Sequence, residues 1–185
     1  MEVKLAAIRI KVTPVVWLIS AIMAGLAILL TLRRMLSKKA LSIATTQLGI
    51  RETGNNTGKD VEKYLKSVGL PGGHPWCMAF VVWCFEQSAA ILKTKSPLLR
   101  TGGVLDQWNR VPAKYKKSAP SVGSIFIMST GGGKGHTGII TKVFPDGTFT
   151  AIEGNSNSNG SREGVQVVTN TRSTSDKTIV GYITL

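Results

Sequence analysis

Residues 15–32 (VVWLISAIMAGLAILLTL) form an uncharged run of 18, and no other stretch restricts the fold of this chain so strongly. As a helix rising ~1.5 Å per residue the run reaches roughly 27 Å, about one hydrocarbon core. Lys4, Arg9 and Lys11 precede it, and Arg33, Arg34, Lys38 and Lys39 follow it. A buried core helix with this composition and these flanks is rare in a small soluble domain. Two readings remain, an uncleaved membrane anchor and a cleaved signal peptide with Gly25-Leu26-Ala27 as its processing site. The apolar run continues through Leu30, so the anchor is the expectation. The chain of 185 residues then divides into a basic flank with one membrane-spanning helix (1–39) and one soluble domain (40–185), a size that suits a single domain plus an appendage.

The formal charge is +13, with +6 in residues 1–39 and +7 in residues 40–185. The bias therefore belongs to the domain as well as to the tail. A basic surface draws a protein towards polyanions such as phospholipid headgroups, nucleic acid or an anionic cell wall. No basic helix with base-reading spacing, aromatic sheet signature or zinc pattern is present, so no nucleic-acid partner is expected. A lipid bilayer is the expected partner of residues 15–32.

From residue 40 the elements begin as helices and end as strands. Ala40–Leu48 reads as a short helix stopped by Gly49, Lys59–Val68 as a helix with Val61, Tyr64, Leu65 and Val68 on one face, and Trp76–Leu92 as a buried helix. Residues 93–121 are mixed, with Trp108 on a short helix. Strands are expected over 122–129, 137–144, 148–153, 164–169 and 179–184, separated by Gly, Asn, Asp and Ser. Pro145-Asp146-Gly147 has the composition of a hairpin turn. Helices followed by an antiparallel sheet define an α+β domain.

The two cysteines, Cys77 and Cys84, lie seven residues apart on one expected helix. Two helical turns separate their Cα atoms by roughly 10.5 Å, beyond the ~7 Å limit of a disulfide, so the thiols need separate explanations. Cys84 falls among apolar positions inside the helix and is read as packing. Cys77 opens the helix, where the macrodipole and unpaired N–H groups favour the thiolate and could hold an oxyanion. His136 sits where a glycine-rich loop (Gly131–Gly135) enters a strand. The Pro-Asp-Gly hairpin brings Glu153 back beside His136, with Asn155 two residues further on. A carboxylate or amide there can bind the second ring nitrogen and fix its tautomer. Each residue has a bland alternative: core packing for Cys77, a glycine-flanked turn for His136, a solvated strand end for Glu153, and turn formation for Asn155. Their joint occurrence as nucleophile, base and orienter favours chemistry. His74, the only other histidine, belongs to the substrate rim or to structure.

These motifs resemble the CHAP family (cysteine, histidine-dependent amidohydrolase/peptidases), a bacterial and phage branch of the papain-like group. The resemblance runs from about Ala44 to the C-terminus. It is carried by Leu48-Gly-Ile-Arg-Glu52, Gly54-Asn-Asn-Thr-Gly58, Pro75-Trp-Cys-Met-Ala-Phe80 with Trp83-Cys84, Gly135-His-Thr-Gly-Ile-Ile140 and Glu153-Gly-Asn155. It implies a papain-like fold with Cys77 as nucleophile, His136 as base, and Glu153 and Asn155 as the orienting pair. The implied substrate is peptidoglycan, cut at the muramoyl–alanine amide or at a peptide bond of the stem or cross-bridge. A module of this fold with little turnover, or a thiol amidase or acyltransferase acting on a small soluble amide, are the rival readings. Two departures stand out. Gly123-Ser124 replaces a common Gly-Asp, and residues 67–76 lack the acidic residues with which some members bind calcium. No metal and no cofactor are expected. Wall chemistry puts the domain outside the cytoplasmic membrane, whereas four basic residues after the span against three before it lean weakly towards the opposite orientation.

Overall fold

The computed structural model describes residues 14–159 and 164–185, and the basic flank at Lys4, Arg9 and Lys11 lies outside them. The chain divides into two compact units, Met1–Arg33 and Arg34–Leu185. The described part of the first unit is helical and opens α1 (Pro14–Thr45). Its apolar side chains, among them Trp17, Leu18, Ile22, Met23 and Leu30, stand exposed. The most apolar 18-residue window has a mean hydropathy of 2.5. Such a helix is long and apolar enough to cross a membrane, and a signal sequence has the same character.

A separate helix at 40–48 is not what forms. Residues 33–45 contain neither glycine nor proline, so nothing interrupts the hydrogen-bond ladder, and α1 ends only at Thr45. The turn that follows closes at Gly49, whose φ of 84° suits glycine. In the second unit, Leu36, Ala40 and Ala44 are buried at four-residue spacing, one stripe of a helix face. α2 (Lys59–Ser67) buries Val61, Tyr64 and Leu65. α3 (Cys77–Ile91) is apolar on nearly every side and is buried accordingly. α4 (Val104–Arg110) carries Trp108 as expected, and a short 3-10 turn follows at Ala113–Tyr115.

Six strands form one antiparallel sheet: β1 (Lys116–Lys117), β2 (Ile125–Gly131), β3 (Lys134–Val143), β4 (Thr148–Ser156), β5 (Gln166–Ser173) and β6 (Ile179–Ile183), in the order β1-β6-β2-β3-β4-β5. The architecture is the expected α+β class. Alternation divides the strand side chains between two cores. Ile125, Ile127, Ile139 and Ile152 pack with the helices. Phe126, Met128, Ile140, Phe149, Ala151 and Tyr182 form a smaller core on the other face.

Strand bounds shift by a few residues from the sequence expectation (β2 begins at Ile125 and β4 runs to Ser156), and three local details have identifiable causes. The stretch Gly131–Gly135 is a hairpin rather than a loop. Gly131 pairs with Lys134, and Gly132 and Gly133 both have positive φ (57° and 73°), as a two-residue type I′ turn requires. β3 therefore begins at Lys134, two residues before His136. β5 runs to Ser173 rather than 169, because polar alternation on a face that holds a buried carboxylate does not look like a strand. Finally, Ser124 at the departure from Gly-Asp closes its own turn, donating its Oγ–H to the Ser121 carbonyl (2.6 Å) and accepting the Ser121 N–H (3.1 Å).

Candidate active site

Cys77 is placed by the residue before it. Trp76 is fully buried, stacks on Tyr64 with ring centroids 5.6 Å apart, and donates its indole N–H to Glu52 Oε2 (3.1 Å). Tyr64 in turn meets Phe80 edge-on (5.2 Å) and donates its hydroxyl to Gln47 (2.9 Å). This cluster ties the start of α3 to α2 and to the segment that carries Glu52. α3 has no side-chain N-cap, and its first intrahelical donor is Phe80, bonded to the Trp76 carbonyl (2.8 Å). The N–H groups of Cys77 and Met78 have no acceptor among the described residues, as the geometry of a helix start dictates.

β3 and β4 bring the imidazole and the carboxylate together. Opposite residues Ile139 and Ile152 put Gly138 beside Glu153, so His136, Gly138 and Glu153 share one face. Gly138 is required there, because a Cβ would lie 2.8 Å from Glu153 Cγ and 2.6 Å from the Ile152 carbonyl. The result is a buried bond of 2.9 Å between His136 Nε2 and Glu153 Oε2, both side chains being almost inaccessible. Nδ1 has no hydrogen bond of ordinary geometry, yet Cys77 is near enough to act on the ring's charge. Burial works against the imidazolium, but the thiol and the Glu153 carboxylate outweigh it and raise the His136 pKa to about 9. Burial likewise opposes the Glu153 charge. His136 and then Arg172 overcome it and lower the Glu153 pKa to about 2.

Glu153 has more partners than the sequence suggested. Arg172 on β5 grips it with two bonds, Nε to Oε1 (2.8 Å) and Nη2 to Oε2 (2.6 Å). Ser156 Oγ–H and Asn170 Nδ2–H each donate to Oε2 (both 3.0 Å). Sheet register explains this, since Glu153 faces Val168 and Ala151 faces Asn170, which puts Asn170 and Arg172 on the face of Glu153. A strand carried through Arg172, the one charged residue of 164–173, would have revealed the pair by its period of two.

Asn155 does not reach the imidazole. His136 Nε2 is occupied by Glu153, and the group that acts on the other side of the ring is the Cys77 thiol, not Asn155. Asn155 is buried in a left-handed conformation (φ 55°) at the irregular end of β4, and it lines a different hollow with Glu52 and Pro75. Cys84 lies fully buried inside α3, and burial pushes its thiol well above the ordinary range. Both cysteines are free. Cys77 opens onto a cleft of about 300 Å³ whose walls include Gly102, Gly103 and Gly135, with His74 and Lys134 at its edge. No group of three or more metal-ligating side chains occurs among the described residues.

An α+β domain that sets a helix-start thiol beside an imidazole–carboxylate pair has the layout of the papain-like class. The CHAP domain family model matches residues 69–155, the stretch that holds Cys77, His136, Glu153 and Asn155, so the family resemblance of the sequence holds. CHAP domains are in general hydrolases, amidases or peptidases, with peptidoglycan as their substrate. No match is found among curated proteins or among solved structures.

Proposed function

We propose that this domain is a thiol hydrolase of peptidoglycan that cuts an amide or peptide bond through a thioester on Cys77. The observation that carries the reading is the buried His136–Glu153 bond beside a thiol at an uncapped helix start, inside the stretch matched by the CHAP family. Cys77 reacts as the thiolate, paired with a protonated His136. The sulfur attacks the carbonyl carbon, and the oxygen takes up negative charge near the open N–H groups of α3. His136 gives its proton to the leaving amine, the C–N bond breaks, and the acyl group stays on sulfur. The neutral imidazole then takes a proton from water, whose oxygen attacks the thioester. The carboxylic acid leaves, and the thiolate and imidazolium are restored. Glu153 holds the ring and its charge throughout.

The glycine walls of the cleft leave room for a peptide backbone to approach, and Lys134 suits a substrate with a free carboxylate, such as a peptidoglycan stem. We further propose that residues 15–32 anchor the domain at a membrane with residues 40–185 on the wall side, where the substrate lies. Protease treatment of intact spheroplasts tests this orientation: the domain is digested if it is external and protected if it is not. The function itself is tested by mass spectrometry of purified wall after digestion. New amino and carboxyl ends at one defined bond support it. An intact wall combined with turnover of small soluble amides replaces it.

A further inference from the structure

We infer that Arg172 is a positioning residue that extends the Cys77–His136–Glu153 series to a fourth member, holding Glu153 charged and in place so that the imidazole stays turned towards the thiol. The inference rests on the proposed roles of Cys77 and His136, and adds a residue outside the stretch matched by the family. Three observations support it. The contact is bidentate, through Nε and Nη2 to both carboxylate oxygens, a geometry that fixes the plane of the carboxylate as well as its position. The pair is secluded, with Glu153 fully buried and the Arg172 side chain only 12% exposed. The guanidinium also lies 5.8 Å over the Phe126 ring, and Phe126 neighbours His136 (6.1 Å between centroids), so the arginine is braced on the same face as the imidazole.

The charges then alternate across three strands and a helix start: thiolate, imidazolium, carboxylate, guanidinium. A carboxylate sealed from water is stable as an anion only if it is paired. His136 alone cannot keep it so through a catalytic cycle, because His136 loses its proton when the amine departs. A guanidinium is a permanent cation in proteins, so Arg172 keeps Glu153 ionised while His136 is neutral. Among the described residues, the charged or titratable groups that reach this cluster are Cys77 from α3, His136 from β3, Glu153 from β4 and Arg172 from β5. Asp176, in the turn after β5, also feels the guanidinium.

The test is the pH dependence of Cys77 alkylation by iodoacetamide in the full chain, mapped by peptide mass spectrometry. It reports the thiolate without any substrate. Without the guanidinium, Glu153 takes up a proton or turns away, and the imidazolium that stabilises the Cys77 thiolate loses its counter-charge. Arg172→Met should therefore move the acid limb of Cys77 alkylation upward by about one pH unit, and Arg172→Lys should return most of that displacement. Identical limbs in parent and folded Arg172→Met would overturn the inference, since a merely structural residue leaves the limb in place. If Arg172→Met does not fold, Glu153→Gln is compared with Glu153→Gln/Arg172→Met, in which no buried carboxylate is left unpaired. Matching limbs in that pair support action through Glu153, and a further displacement of a full unit overturns it. Wall digestion by the parent is scored separately. Fast Cys77 alkylation without digestion defeats the substrate reading alone, whereas Cys77 labelling no faster than Cys84 at any pH defeats the thiol mechanism itself.

Discussion

The two thiols of α3 are two turns apart and almost equally hidden, with exposures of 4% for Cys77 and 0% for Cys84. Burial does not distinguish them, but position along the helix does. Cys84 lies in the middle, among Tyr64 and other core groups, where its thiol is held neutral. Cys77 lies at the first turn, with open N–H groups, an imidazole on one side and a cleft on the other. The same side chain on the same helix serves packing at one end and, in our proposal, chemistry at the other. The helix terminus and its neighbour across the sheet make the difference.

The comparison breaks first if the imidazole is dispensable. His136→Ala should reduce turnover by at least about 10³-fold while the helix-packed core survives, because in the proposed mechanism both proton transfers run through that ring. Initial rates on purified wall, alongside circular dichroism, check it. Turnover within tenfold of the parent would return Cys77 to the status of Cys84.

Glu153→Gln should cost less activity, about 10²-fold, since an amide oxygen can still accept the Nε2–H but carries no charge. It should also destabilise the fold by about 3 kcal/mol, because Arg172 is left without its counter-ion. Asn155 provides the contrast. Asn155→Gly keeps the left-handed backbone free of strain and removes a side chain that does not touch the imidazole, so activity should stay within about threefold. Rates and urea midpoints for the two variants decide which residue orients His136.

The pH dependence sharpens the same picture. The His136 pKa is raised in the fold to about 9, so its contribution to stability is complete below its ordinary pKa of about 6.5 and is lost as pH rises through about 9. Glu153 is lowered to about 2, so its contribution is complete above the ordinary carboxyl range and is lost as pH falls towards 2. Urea unfolding should show stability declining between pH 6.5 and 9, and the decline should be absent in His136→Ala. Activity should fall over the alkaline part of the same window, as the imidazolium that we propose protonates the leaving amine is lost.

The smallest effect belongs to Cys84. Cys84→Ala should keep most activity and lower stability by about 1 kcal/mol, the size expected for one small buried group and the cavity it leaves. Thermal unfolding and wall digestion on that variant check both halves.

The sequence made some of this visible and hid the rest for physical reasons. α2 and the β3–β4 hairpin are legible because their periodicity and turn residues agree, and α3 because it is one long apolar run: Val61, Tyr64 and Leu65 lie on one helical face, and Asp146 accepts the Thr148 N–H across the turn (2.9 Å). The approach of His136 and Glu153 followed from that hairpin alone. The unbroken course of α1 was hidden, since a change from apolar to mixed composition at Arg33 does not stop a helix. Arg172 and Asn170 were hidden because buried polar residues on a strand mimic a loop until their partner is known. The placement of Asn155 away from the ring was hidden because β4 becomes irregular between Glu153 and Ser156, where a spacing of two no longer preserves the face.

The central claim is that Cys77 does the chemistry, and turnover of Cys77→Ala tests it most directly. Parent and variant are incubated with purified peptidoglycan, newly exposed amines are counted, and thermal unfolding confirms that the variant is folded. The account predicts release at the level of a no-enzyme control for Cys77→Ala and near-parental release for Cys84→Ala. Substantial release by folded Cys77→Ala would contradict it.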